Sequence, residues 1–206
     1  MKKTETRQAI SSVTRRKIEI DFLCVDLTAC TRCIGTDANL EEALSEVSRI
    51  LEAAGAEVSV RKTLVESEEQ AKALGFFSSP TIRINGKDIA LEFRESRCES
   101  CEACAGNVPV NCRVWVFQGQ EYTEAPKAMI MDAILREIYG GTPSKKPPAR
   151  PRKRLDVPEN LRRFFSGKAA IKQSSCCPPA EQTDCCEASE KAACCEISDS
   201  NACGCK

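Results

Sequence analysis

Histidine is absent from the 206 residues. Its absence excludes every Cys-His or Ser-His catalytic arrangement and every imidazole ligand, so any metal held here is held by thiolate, alone or with carboxylate. Long apolar runs are missing too. None approaches the roughly 20 residues of a membrane span, and no apolar segment of signal-peptide type follows the first lysines. The expected location is the cytoplasm, where glutathione and thioredoxin keep most thiols reduced. Aromatic residues make up only 5% of the chain, with a single Trp.

What is abundant is cysteine, at 15 residues. In a reducing compartment so many thiols indicate metal binding or catalysis rather than a disulfide framework. Soft ions are their natural guests.

The formal net charge of zero averages over unlike segments. Residues 1–141 carry 18 basic and 22 acidic side chains, residues 142–173 carry 10 and 2, and residues 174–206 carry 2 and 6. The chain divides accordingly into a basic N-terminal arm (1–16), a folded domain (17–141), a basic Pro-rich linker with a short helix (142–173) and a Cys-rich tail (174–206).

Within the domain, Lys17 to Val25 (KIEIDFLCV) alternates and then turns continuously apolar, the pattern of a buried strand. Leu40, Ala43, Leu44, Val47, Leu51 and Ala54 recur at helical spacing, with Thr36 or Asp37 to cap the start and Gly55 to end it. Glu57 to Leu64 alternates as a second strand. Ser67 with Gln70 fits a capping box for a short helix that stops at Gly75. Two strands, Thr81 to Ile84 and Lys87 to Phe93, flank Asn85-Gly86, the strongest short signal for a two-residue hairpin. Arg113 to Phe117 reads as another strand, and Pro126 suits the first turn of a helix reaching Ile138 and ended by Gly140-Gly141. The predicted class is α/β, in the order β-α-β-α-β-β-α, with a Cys-rich insertion over 94–113 before the last helix.

A strand, then Cys30-Thr31-Arg32-Cys33 at the mouth of a helix, then Ser79-Pro80-Thr81 opening a hairpin: together these resemble the thioredoxin-like fold. The chain is similar to an uncharacterised prokaryotic branch of that superfamily with a cysteine cluster before the last helix. The resemblance covers about 17–141 and implies a cis peptide at Ser79-Pro80, facing the cysteine pair. It also implies that the proline loop shields the pair and aligns a substrate chain. Thr31-Arg32 departs from the Gly-Pro of thioredoxin, and no Trp precedes Cys30.

Three groups of cysteines follow. At a helix N-terminus, unpaired N–H groups, the helix dipole and the adjacent Arg32 stabilise a thiolate, which makes Cys30 the expected accessible nucleophile. Cys33, one turn deeper, is the expected resolving thiol. Cys24, inside an apolar strand, reads as a small core residue. The second group is Cys98, Cys101, Cys104 and Cys112, four thiols in fifteen residues that can close a tetrahedral site, with zinc ahead of an iron-sulfur cluster. Exchange between these thiols and Cys30/Cys33 is a further reading.

The third group repeats every nine residues, SSCCPPAEQ, TDCCEASEK, AACCEISDS, NACGCK, placing Cys176/Cys177, Cys185/Cys186, Cys194/Cys195 and Cys203/Cys205. An odd period lines these pairs up on neither helix nor strand. With few apolar residues around it, the tail is expected to be disordered until a soft ion gathers it. Arsenite, mercury or copper(I) can be satisfied by such pairs.

Two functions compete on this reading. One is a thiol-disulfide oxidoreductase tied to soft metal or metalloid handling or detoxification, using Cys30, Cys33 and Pro80 on a protein disulfide or thiol partner. The other is a non-catalytic chaperone or scavenger of metals on the same scaffold, similar to thioredoxin-like arsenite carriers with vicinal cysteines. The linker's basic charge reads as a solvated spacer, and no stacking platform or groove-reading motif points to nucleic acid.

Overall fold

A computed structural model describes residues 16–140 and 156–174; the tail cysteines and residues 142–155 of the basic linker lie outside them. The elements run β1 (Arg16–Cys24), α1 (Thr31–Ala53), β2 (Ala56–Leu64), α2 (Glu68–Leu74), β3 (Thr81–Ile84), β4 (Lys87–Asp88), β5 (Arg94–Arg97), α3 (Glu99–Cys104), β6 (Asn111–Phe117), β7 (Gln120–Tyr122), α4 (Lys127–Tyr139) and α5 (Glu159–Ser174). It is a mixed α/β architecture. A four-stranded sheet has the order β2-β1-β3-β4, and β5-β6-β7 form a smaller one.

Strand β1 is central because its residues are the most apolar. Ile18, Ile20 and Phe22 alternate into the core, and Leu23 and Cys24 are buried as well. It pairs parallel with β2, Arg16 opposite Ala56 through Cys24 opposite Leu64. Its other edge runs antiparallel to β3, with Phe22 opposite Ile82. A parallel neighbour requires a crossover, and α1 supplies it, burying Leu40, Ala43, Val47 and Leu51 at helical spacing. Helix α4 packs against α1, with Met129, Ile130, Ile134 and Ile138 buried.

Several local signals act as expected. Asn85 and Gly86 take φ of 49° and 77°, the positive pair a two-residue hairpin turn needs. Ser67 caps α2 by accepting the Gln70 N–H at 3.2 Å, and Gly75 ends the helix in the left-handed conformation.

Other elements differ from expectation. Helix α1 begins at Thr31, five residues before Thr36. Thr36 is buried in mid-helix with its hydroxyl accepting the Ala125 N–H at 3.1 Å, and Asp37 pairs with Lys62 at 2.7 Å. Gly35 does not break the helix. It makes room for Glu124, whose carboxyl carbon would lie 2.1 Å from an added Cβ.

The strand predicted over 87–93 stops at Asp88, which still pairs with Arg83 of β3 and whose side chain bonds the backbone just beyond. One carboxylate oxygen accepts the Ala90 N–H at 3.0 Å and the other meets the Arg113 guanidinium at 2.9 Å. Beyond it Leu91 is 89% exposed. The segment read as a loop between 94 and 113 contains β5 and α3.

Helix α5, at 16 residues, is longer than the short helix expected within the linker. It docks through Leu161, Phe164 and Phe165, all buried, and through Lys168, whose ammonium lies 3.2 Å from Asp26. No helix among the described residues is long and apolar enough to cross a membrane.

At Gly167 the axis of α5 comes so close to α3 that an added Cβ would sit 2.1 Å from the Ala105 carbonyl oxygen. Helix propensity alone would make Gly167→Ala stabilising by about 1 kcal/mol. The contact reverses the sign: Gly167→Ala should lower the thermal unfolding midpoint, by roughly 2–4 °C per kcal/mol lost in a chain of this size.

Candidate metal centre

The site begins at the loop that leaves β1. Asp26, only 7% exposed, folds this loop by accepting the Thr28 and Ala29 N–H groups at 2.8 Å each. Its other oxygen faces Lys168. Burial pushes the Asp26 carboxyl up, but the hydrogen bonds from Ala29, Thr28 and Lys168 prevail and hold it below the ordinary carboxylate range. The loop delivers Cys30 to the N-cap of α1 without a side-chain capping bond, so its sulfur is left to other partners.

Those partners come from the small sheet. Cys98 ends the turn after β5 as the N-cap of α3, Cys101 lies in the first turn of α3, and Cys112 stands on β6 opposite Ser96 of β5. The sulfurs of Cys30, Cys98, Cys101 and Cys112 all lie within 4.8 Å of one another, and all four residues are buried. The closest approaches are 3.3 Å from Cys101 to Cys30 and 3.2 Å from Cys112 to Cys101. Tetrahedral zinc with Zn–S bonds of about 2.3 Å sets its sulfurs roughly 3.8 Å apart. Four buried cysteines at this spacing can hold a metal ion such as zinc.

The geometry places two groups differently from expectation. The first expectation grouped Cys104 with Cys98, Cys101 and Cys112; the fourth sulfur is that of Cys30. The cause is helix α3, in which Cys104 lies about 9 Å along the axis from Cys98 at 1.5 Å per residue. Cys104 is partly exposed, near Asp26 and Lys168, and burial pushes its thiol up. The second made Cys30 an accessible nucleophile, whereas it is 0% exposed beneath the insertion.

The thiol chemistry follows from the crowding. Cys101, Cys112, Cys33 and Cys98 donate hydrogen bonds toward Cys30 and hold its thiol far below the usual range. Hydrogen bonds from Cys101 and Cys112 bring Cys98 to about 6. Cys33 is pushed up, first by its bond to Cys30 and then by burial. Burial takes Cys24 up to about 12, as suits a core thiol. Anions at Cys30 and Cys98 beside thiols of Cys101 and Cys112 that keep their protons are the metal-free form of such a set, and a bound cation would displace the remaining protons.

Pro80 is preceded by a cis peptide, as the resemblance implied. Its loop meets the cysteine pair through Cys33, whose sulfur lies 3.2 Å from the Ser79 hydroxyl. That hydroxyl also accepts the Val25 N–H at 3.1 Å, and the Ser79 carbonyl accepts the Arg113 N–H of β6 at 2.8 Å. The loop thus ties the small sheet to the large one. Cys176, Cys177, Cys185, Cys186, Cys194, Cys195, Cys203 and Cys205 lie outside the described residues.

Residues 17–134 match the model of a family described as a domain of unknown function, DUF2703. No curated protein and no solved structure matches the chain.

The Asp26 shift has a definite pH consequence. A carboxyl whose folded pKa lies below its ordinary 3.8 stabilises the fold fully above that value and loses the contribution as pH falls through the folded pKa. Denaturant melts of the parent and Asp26→Asn should differ at about pH 7, and the gap should narrow as pH falls below 3.8. An unchanged gap would mean that Asp26 acts by shape alone.

Proposed function

We infer that this chain, a member of the DUF2703 family, binds a thiophilic metal ion between Cys30, Cys98, Cys101 and Cys112 on a thioredoxin-like scaffold. The observation that carries the reading is the position of the Cys30 sulfur, which the C-x-x-C motif contributes to a buried group of four instead of offering it to solvent. Closed four-thiolate sites suit zinc, and soft thiolates also suit copper(I) and other thiophilic ions. The ion would join the first turn of α1 to the small sheet, so binding energy is also folding energy for the insertion. The repeated cysteine pairs of the tail would gather ions of the same class.

Three features favour the thioredoxin-like scaffold: the sheet order β2-β1-β3-β4 with β1 parallel to β2 and antiparallel to β3, the C-x-x-C at the start of α1, and the cis-proline before β3. Fold alone does not decide activity. Burial of both Cys30 and Cys33 favours the carrier over the oxidoreductase.

Dithiol chemistry is the second reading, favoured by the hydrogen bond between Cys33 and Cys30. There the Cys30 thiolate attacks a substrate disulfide and expels one thiolate; Cys33, giving up its proton, then displaces the other and closes a Cys30–Cys33 disulfide. One sulfur cannot be ligand and disulfide partner at once. Dithiol turnover therefore belongs to the metal-free protein.

The test uses the full chain with the eight tail cysteines changed to Ser, purified without added metal and analysed by mass spectrometry for metal content. About one thiophilic ion per chain is expected, as for a closed tetrathiolate site. Cys30→Ser, Cys98→Ser, Cys101→Ser and Cys112→Ser should each lose most of it, whereas Cys104→Ser and Cys33→Ser keep it. Full occupancy in Cys30→Ser with loss in Cys104→Ser would reject the assignment. Reduction of a test disulfide by metal-free but not zinc-loaded protein would support the second reading.

A further inference from the structure

Arg32 stands between the two cysteines of the motif, but it is not directed at either as a simple neighbouring charge. Its guanidinium reaches across to the small sheet and donates to four main-chain carbonyls: Ser96 at 3.4 Å, Arg97 at 2.5 Å, and Cys112 and Arg113 at 3.3 Å each. These carbonyls frame the ligand-bearing segments. The Arg97 carbonyl belongs to the peptide that leads into Cys98, and the Cys112 carbonyl to a ligand residue itself. A planar fork with five donors can hold such a set, and the point charge of a lysine cannot.

The other cations around the site are already matched. Arg97 is paired with Glu102 at 2.7 Å, Arg113 with Asp88 at 2.9 Å and Lys168 with Asp26 at 3.2 Å. Among the described residues Arg32 makes no ion pair; all its hydrogen bonds go to neutral carbonyls. A full positive charge is thus fixed on the main chain that carries Cys98 and Cys112, with no carboxylate in an ion pair with it among the described residues.

We propose that Arg32 is the positioning and charge-selecting residue of the centre, favouring a divalent ion bound by four thiolates over a trivalent metalloid bound by three. The proposal rests on the metal-binding reading above. Four thiolates around a dipositive ion form a dianion, which is costly to bury unless compensated. Three thiolates around arsenic(III) form a neutral unit, for which a fixed cation offers no advantage. The same guanidinium couples the two halves of the site, since Cys30 follows α1 while Cys98 and Cys112 follow the carbonyls it grips. It acts on the ion through the ligands, as outer-shell partners of metal sites do.

The experiment compares the full chain, tail cysteines changed to Ser, with its Arg32→Gln and Arg32→Lys variants. Each is titrated anaerobically with cobalt(II), with zinc(II) in competition, and separately with arsenite. The parent should develop the ligand-field and sulfur-to-cobalt charge-transfer bands of a tetrathiolate. Arg32→Gln should lose roughly ten- to a hundredfold in cobalt and zinc affinity, the range found for outer-shell partners, with arsenite affinity changed less than about threefold. Arg32→Lys, which keeps the charge and loses the fork, should weaken all three ions by no more than the arsenite loss of Arg32→Gln, so that the parent's ratio of divalent ion to arsenite is kept.

Equal losses for cobalt and arsenite in Arg32→Gln, or a ratio in Arg32→Lys no different from that of Arg32→Gln, would overturn the charge-selecting role. Unchanged cobalt affinity in both variants would overturn the positioning role as well. Absence of tetrathiolate bands in the parent would instead reject the metal-binding reading on which the proposal stands. Circular dichroism of each variant separates weakened binding from failure to fold.

Discussion

Cys30 and Cys101 are 71 residues apart in the chain, and their sulfurs lie 3.3 Å apart. Much of the rest of the structure can be read as what is needed to hold that contact. The loop before Cys30 is folded on the Asp26 carboxylate, α1 begins at the next residue, and the small sheet is hung from the large one by the backbone bond between Arg113 and Ser79. Hydrogen bonds among these buried thiols push Cys30 and Cys98 down and Cys101 up, so the set is only partly ionised until a cation arrives. A scaffold that crowds them anyway resembles a site waiting for an ion more than a hydrophobic core.

The insertion has little apolar material of its own. Strand β5 is RESR and β7 is QEY, with the buried apolar residues of the sheet concentrated on β6. Three kinds of contact hold it instead. Arg113, buried, reaches Asp88 and Thr81 and lies over Trp115, at 5.2 Å from its ring. Arg32 grips its carbonyls from the other side, and α5 covers α3 through Gly167 and Ile171. A metal ion joining Cys30 to Cys98, Cys101 and Cys112 would add the fourth. Small, polar subdomains stapled in this way gain stability from the ion that a core cannot supply.

How far the sequence reveals this depends on the range of each interaction. The alternation of Ile18, Ile20 and Phe22, the Asn85-Gly86 turn, the Ser67 cap and the Gly75 stop are decided by neighbours within a few residues, and all are legible. The start of α1 is misread because Thr36 and Asp37 look like caps until their long-range partners, Ala125 and Lys62, are known. The end of β4 is misread because the Asp88 side chain takes the Ala90 N–H and Arg113, 25 residues on, as partners. The metal group shows the same limit. Spacing groups Cys98, Cys101 and Cys112, but it also adds Cys104, since only the rotation and rise of α3 separate it from the other three. Cys30 is recognisable as reactive, yet nothing local says that its reactivity is spent on three cysteines of a distant segment.

X-ray absorption at the metal edge of the zinc-loaded full chain, its tail cysteines replaced by Ser and Cys104 also Ser, tests the four-sulfur centre most directly. Four sulfur scatterers at about 2.3 Å are expected, falling to three with one lighter atom when Cys30 is changed to Ser as well. A first shell with oxygen or nitrogen in the Cys30 protein, or one indifferent to the loss of Cys30, would contradict the central claim that the motif's first sulfur completes the site.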